Sequence, residues 1–172
     1  YFMLRKYKIS EVVIGGKDIC IHNFAGGGNI CKGCMAFRGQ YGNEEHPSRY
    51  IAHTMIWLKE AWRVLRDDGC IFIVIDDSYA RSNKGKGGEG INKGGNYNGK
   101  ELHEIMPRNT TYNYKRKSKL LIPERIMIAM QDEGWIIRNR ITWIRSMPES
   151  IKDRFSAQSE TIIFAVKNPD YY

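Results

Sequence analysis

The chain has 172 residues, 42% of them apolar and 27% charged, which suits a single globular domain with a core of its own. No apolar run approaches the roughly 18 residues of a membrane span, and no secretory leader is evident, so a cytoplasmic protein without a membrane partner is expected. The net charge of +8 suits a polyanionic partner.

In chain order, Glu11–Ile14 reads as an extended piece closed by Gly15-Gly16. Residues 20–42 are rich in Gly and Cys and have no periodicity. From Pro47 the pattern turns helical, with Ile51, Met55, Leu58, Trp62 and Leu65 recurring every three or four residues. Pro47 suits a first helical turn, and Arg66-Asp67-Asp68-Gly69 supplies the stop. Cys70–Ile75 is a short, branched apolar run that reads as a strand buried on both faces. Helix followed by such a strand is half of a βαβ unit, so a parallel α/β sheet is expected. Pro123 opens a second amphipathic helix with Ile126, Ala129 and Met130 inward, ending near Glu133-Gly134. Trp135–Ile144 and Thr161–Val166 read as strands, and the lack of a helix between them predicts an antiparallel hairpin at one sheet edge.

Charge is concentrated. Between Arg81 and Lys119 stand ten Lys/Arg against three Glu, a local excess of +7, together with 7 of the 17 glycines. Residues 81–119 therefore read as a flexible basic loop suited to a polyanionic partner, since phosphate contacts suit mobile cations. A solvated surface loop with no ligand is the alternative reading of the same composition.

Cysteine usage points to metal. Cys20-x-His22 is followed after eight residues by Cys31-x-x-Cys34, a full Cys3His set within 15 residues. Two thiolates separated by two residues can hold one ion from a tight turn whose amides fold toward the sulfurs. With all four positions supplied by protein, the ion would be structural zinc, in an insertion spanning residues 15–42. Three reduced cysteines beside a surface histidine are the competing reading. Phe24-Ala25-Gly26-Gly27-Gly28 looks like a methyltransferase cofactor loop, but it lies inside the metal-ligand frame with no acidic residue ending a following strand.

Several strings go further. Tyr1-Phe2-Met3-Leu4-Arg5-Lys6-Tyr7, Gly15 to His22, Cys31 to Gln40, Arg63 to Gly69 with Asp77-Ser78-Tyr79, and Met147-Pro148-Glu149-Ser150-Ile151-Lys152-Asp153-Arg154-Phe155 run in a consistent order. Along nearly its whole length the chain resembles the β-type DNA amino-methyltransferases of restriction–modification systems and phages. That resemblance implies a partial Rossmann-like α/β methyltransferase sheet over residues 1–172, with an inserted zinc knuckle and a long basic loop. It implies transfer of a methyl group from S-adenosylmethionine to the exocyclic amine of cytosine (N4) or adenine (N6) in double-stranded DNA, alongside a companion restriction endonuclease. The Ser/Asp-Pro-Pro of the catalytic motif and the Phe-x-Gly-x-Gly cofactor loop are expected before Tyr1 and after Tyr172, in a longer protein, so the segment alone is expected to be inactive.

The resemblance also assigns roles. Tyr1 would stack on the flipped base. Asp77, Ser78 and Tyr79, at the carboxyl end of a strand where α/β sheets bind ligands, would wall the pocket against cofactor or base; a plain strand-terminating turn is the alternative. Arg81, Lys84, Lys86, Lys115, Arg116, Lys117 and Lys119 would contact DNA. Lys152 and Arg154 would meet its backbone, or else form a salt-bridged turn with Asp153. The sequence departs from the family pattern at Asp76, where glycine is usual, at Ser159, where histidine is expected, and in the short link Trp143–Met147. A zinc-knuckle module that binds nucleic acid without chemistry, or a degenerate remnant, is the competing function; it has no need of the Met147–Phe155 string.

Overall fold

A computed structural model describes residue 2, residues 10–24, 28–44, 46–80, 114–115, 117–146 and 151–171. Their order is β1 (Val12–Ile14), β2 (Phe37–Gly39), α1 (Pro47–Val64), β3 (Cys70–Ile75), α2 (Ile122–Asp132), β4 (Ile136–Ile144) and β5 (Ser159–Val166). The chain divides into two compact units, and the division falls within α1. One unit holds Thr54–Asp77 and the described part of Leu121–Tyr172; the other holds Phe2–His53 and Ser78–Leu120. The chain is an α/β protein, and none of its described helices is long and apolar enough to cross a membrane.

The first unit is built on a three-stranded sheet of order β3-β5-β4. Both neighbours pair with β5 antiparallel, in registers Cys70↔Val166 to Ile75↔Thr161 and Ile136↔Val166 to Ile144↔Ser159. The expected hairpin of β4 and β5 is present. The expected parallel sheet is corrected: among the described residues every strand pair is antiparallel. The physical reason is that the β3–α2–β4 crossover does leave β3 and β4 running the same way, but the returning strand β5 lies between them.

The face carrying Thr161, Ile163 and Ala165 is buried. Arg140 on that face reaches Glu124 of α2 at 3.1 Å and Thr161 Oγ1 at 3.4 Å, which places α2 over it. α2 buries Ile122, Pro123, Ile126 and Met130. Gly134 (φ 95°) ends the helix in a left-handed turn in which the Trp135 amide donates to the Met130 carbonyl, a glycine-dependent stop. The opposite face holds Phe72 stacked on Phe164 (centroids 4.8 Å apart), and Phe72 is 56% and Val74 45% exposed. The expectation that β3 is buried on both faces therefore fails on the Cys70–Phe72–Val74 side. An apolar run carries no period, and the reading took both faces to be covered. At its far end β5 is tied to α1: Lys167 donates to the Leu65 carbonyl, and its ammonium stands over the Trp62 ring, which meets Trp135 edge-on.

In the second unit β1 and β2 form an antiparallel ribbon, Val12↔Gly39 to Ile14↔Phe37, closed by Gly15 and Gly16 in positive φ. The start of α1 packs here. Tyr50 meets Phe2 and Tyr41, and His53 Nδ1 lies 2.9 Å from the fully buried Glu44 carboxylate, whose other oxygen accepts the Gly42 amide. The inward face thus centres on Tyr50, His53, Thr54 and Leu58, about one position round from the Ile51–Met55–Leu58–Trp62 stripe read from periodicity.

Candidate functional site

Local chain geometry brings the four predicted metal donors together. The Cys20 amide closes a turn onto the Lys17 carbonyl, the Cys31 amide donates to Ala36, and the Met35 amide donates to Cys31. One ligand atom from each of Cys20, His22, Cys31 and Cys34 then falls within 4.8 Å of every other. Cys20 Sγ is 3.8 Å from Cys31 Sγ, and Cys34 Sγ is 3.3 Å from His22 Nδ1. Metal–sulfur bonds of ~2.3 Å at tetrahedral angles put paired sulfurs ~3.8 Å apart, so the donor set fits one tetrahedral ion. The nitrogen that faces the sulfurs is Nδ1.

The electrostatics are those of a thiolate nest. Burial pushes the Cys31 thiol up, but amides of Asn23, Gly33 and Cys34 and the His22 ring outweigh it and hold it at about 6. The Lys17 amide leads the groups that lower Cys34. The proton stays on Cys20, pushed up to about 11 by its hydrogen bond to Cys34, then by burial and by Cys31. His22 is raised, chiefly by its hydrogen bond to Cys31.

Two glycines border this nest: Gly33, not picked out from sequence, and Gly16, read there as closing the extended piece. A Cβ on Gly33 would sit 3.4 Å from Cys20 Sγ, and one on Gly16 (φ +90°) would lie 2.8 Å from Cys34 Sγ and 2.7 Å from Ala36 Cβ. The signal was available: a glycine immediately before the second cysteine of Cys-x-x-Cys leaves the amides free to face the sulfurs. Phe24, the head of the apparent cofactor loop, lies against His22 and beneath the Arg38 guanidinium, 4.5 Å from its ring centre. It packs against the Cys/His cluster; residues 25–27 lie outside the described residues.

At the carboxyl end of β3, Asp77 Oδ2 accepts the Leu121 amide and Oδ1 the Ile122 amide, both at 3.0 Å. Leu121 is left-handed (φ 57°) and makes no side-chain cap, so Asp77 supplies from 44 and 45 residues away the acceptor that α2 lacks at its N-terminus. Beside it, Asp76 Oδ2 lies 2.9 Å from Arg145, whose other guanidinium nitrogen is 3.2 Å from Glu160. Asp76 and the Trp143–Met147 link, both read from sequence as departures, thus meet in one ion pair.

In the other unit, the Ser78 carbonyl accepts the Leu120 amide, Ala80 exchanges hydrogen bonds with Lys117 and Ser118, and Tyr79 bridges Lys119. Ser78 and Tyr79 are half-buried, while Lys115, Lys117, Lys119 and Lys152 are exposed. Arg154 pairs with Asp153 at 3.0 Å. Tyr1, Arg81, Lys84, Lys86 and Arg116 lie outside the described residues.

The family model for N6/N4 methyltransferases, described as DNA methylase, matches residues 1–172. The chain belongs to this family. It is similar to the type II methyltransferase M.Cfr9I of Citrobacter freundii, with 31% identity over 77% of this chain and 43% of the relative. M.SmaI of Serratia marcescens is 30% identical over 78% of the chain and 44% of its own length. M.SfiI of Streptomyces fimbriatus is 31% identical over 77% of the chain and 28% of its own. The chain therefore spans less than half the length of these curated relatives.

Proposed function

We propose that this chain is the target-base half of a site-specific DNA amino-methyltransferase that modifies N4 of cytosine or N6 of adenine, and that alone it binds DNA without methylating it. The observation that carries the reading is the family match along the full chain. S-adenosylmethionine, when bound, supplies a methyl group activated on sulfonium. The chain's own residues hold the base and the duplex. An exocyclic amine must leave the base stack to be reached, and an aromatic face repays part of the unstacking cost. Tyr1 takes that role.

At the carboxyl end of β3, both Asp77 carboxylate oxygens are engaged by α2 amides. Within the pocket Asp77 therefore acts by fixing α2 and its own backbone, while Ser78 and Tyr79 are the contacts to cofactor or base. Arg81, Lys84, Lys86, Lys115, Arg116, Lys117, Lys119, Lys152 and Arg154 contact DNA phosphates, whose affinity should fall steeply with salt. Cys20, His22, Cys31 and Cys34 hold structural zinc, since a closed four-protein donor set leaves no position for water or substrate. The sheet extends into the doubly wound fold of the complete enzyme, which works in a bacterial or phage-infected cytoplasm beside a companion endonuclease.

The test is methyl transfer from labelled cofactor to duplex DNA by the longer protein that carries this segment, followed by nucleoside analysis. N4-methylcytosine or N6-methyladenine is the expected product. No methylated nucleoside on a broad mixture of duplexes would sink the enzymatic reading in favour of a binding module.

A further inference from the structure

We infer that Arg145 is a positioning residue for methyl transfer: held between Asp76 and Glu160, it fixes the end of β3 from which the chain enters Ser78 and Tyr79. The inference rests on the proposed function, in which those two residues meet cofactor or base. Asp76 uses both carboxylate oxygens. Its Oδ1 accepts the Asp77 amide at 2.8 Å, and its Oδ2 accepts the Arg145 guanidinium at 2.9 Å. The second terminal nitrogen of Arg145 lies 3.2 Å from Glu160 at the start of β5, and the Arg145 amide donates to the Gln158 carbonyl. Asp77 in turn caps α2 through the Leu121 and Ile122 amides. One hydrogen-bonded chain thus runs from β5 through Arg145 and Asp76 to the Asp77 peptide and on to α2.

Charge and exposure select this role over two others. Both terminal nitrogens of Arg145 face carboxylates, and two carboxylates around one guanidinium leave a local excess of negative charge, which disfavours a DNA phosphate. The side chains of Asp76 and Arg145 are 32% and 37% exposed, so their pairing adds little to stability and a purely structural role would have small effects. What the chain of bonds sets is geometry. A misplacement of ~1 Å in residues that orient a substrate can cost on the order of a hundredfold in rate.

Steady-state methyl transfer from labelled S-adenosylmethionine to duplex DNA, by the longer protein that carries this segment, tests this. Arg145→Ala should lower kcat about tenfold or more while KM for DNA and the salt dependence of binding stay as in wild type. Arg145→Lys, which keeps a cation beside Asp76, should recover most of the rate. Asp76→Ala should lower kcat alike, and the double variant should fall no further than either single one, because both break the same link. Tm should move by no more than about 4 °C in any of them. A kcat within about threefold of wild type in both single alanine variants overturns the inference and leaves the methyltransferase reading standing. A raised KM at unchanged kcat, with the salt slope reduced by about one, overturns it too and makes Arg145 a phosphate contact. No transfer by the wild-type protein removes the methyltransferase reading and this inference with it. Circular dichroism confirms that each variant is folded when its rate is read.

Discussion

Replacing Asp77 by alanine tests whether this residue is first a helix cap. Its two carboxylate oxygens accept the Leu121 and Ile122 amides at 3.0 Å each, and α2 has no cap of its own. A single lost cap costs typically ~1 kcal/mol, and partial solvent access argues against the upper end for either bond. Loss of both acceptors, with the carboxylate's favourable place at the helix N-terminus, should come to about 2 kcal/mol. In a chain of this length that lowers Tm by roughly 4–8 °C. Asp77→Asn keeps one acceptor and should lose about half as much. The assay is thermal unfolding followed by far-ultraviolet circular dichroism in cofactor-free buffer, with urea unfolding as a second measure. A Tm for Asp77→Ala equal to wild type would refute the cap and return Asp77 to the ligand contacts of the pocket.

Chelating zinc, or replacing Cys31 by serine, should unfold the β1–β2 ribbon region while the three-stranded sheet keeps its circular dichroism signal; unaltered proteolysis of residues 12–39 would contradict this. Zinc uptake at pH 7 should release more than one proton, because Cys20 holds its proton up to about 11 and the raised His22 ring must also shed the proton it carries, while Cys31, at about 6, is mostly thiolate; titration calorimetry in buffers of different ionisation enthalpy reads the number, and no release would refute the assignment. The same values set the pH window without metal. The depressed Cys31 thiol stabilises the fold fully above its ordinary pKa of 9.0 and loses that contribution as pH falls through about 6, whereas the raised Cys20 thiol contributes below 9.0 and loses it as pH rises through about 11. Gly16→Ala should cost about 2 kcal/mol and weaken zinc binding, since its Cβ would press on Cys34 Sγ from a left-handed backbone; a variant with native zinc affinity would show that the ribbon yields.

What could be read in the sequence was local. The limits of α1 follow from Pro47 and the Asp67-Asp68-Gly69 stop, and the donor set from spacings of one, eight and two residues, because neighbours along the chain decide both. The hairpin of β4 and β5 was legible for the same reason. The place of β5 was not: its pairing with β3 joins Cys70 to Val166, and no pattern within either strand names its partner. Asp77 looked like a ligand residue because its position at a strand end is visible in sequence, whereas the α2 amides it serves lie 44 and 45 residues on. Asp76 looked like drift from the family pattern, and its 2.9 Å contact with Arg145 could not be read from either segment alone.

The insertion of β5 between β3 and β4 bears on how the chain is made. During synthesis β3 emerges first and β4 some sixty residues later, yet among the described residues neither has the other as neighbour, and each pairs with β5. Until Ser159–Val166 leaves the ribosome, both strands carry unpaired edges, with Phe72, Val74 and Trp143 among their exposed side chains. Sheet closure then waits on a contact spanning nearly the whole unit, which is slow compared with helix formation. A nascent chain paused before Ser159 would be a natural client for a chaperone, and a stop codon there would cost the sheet two strand pairings rather than one.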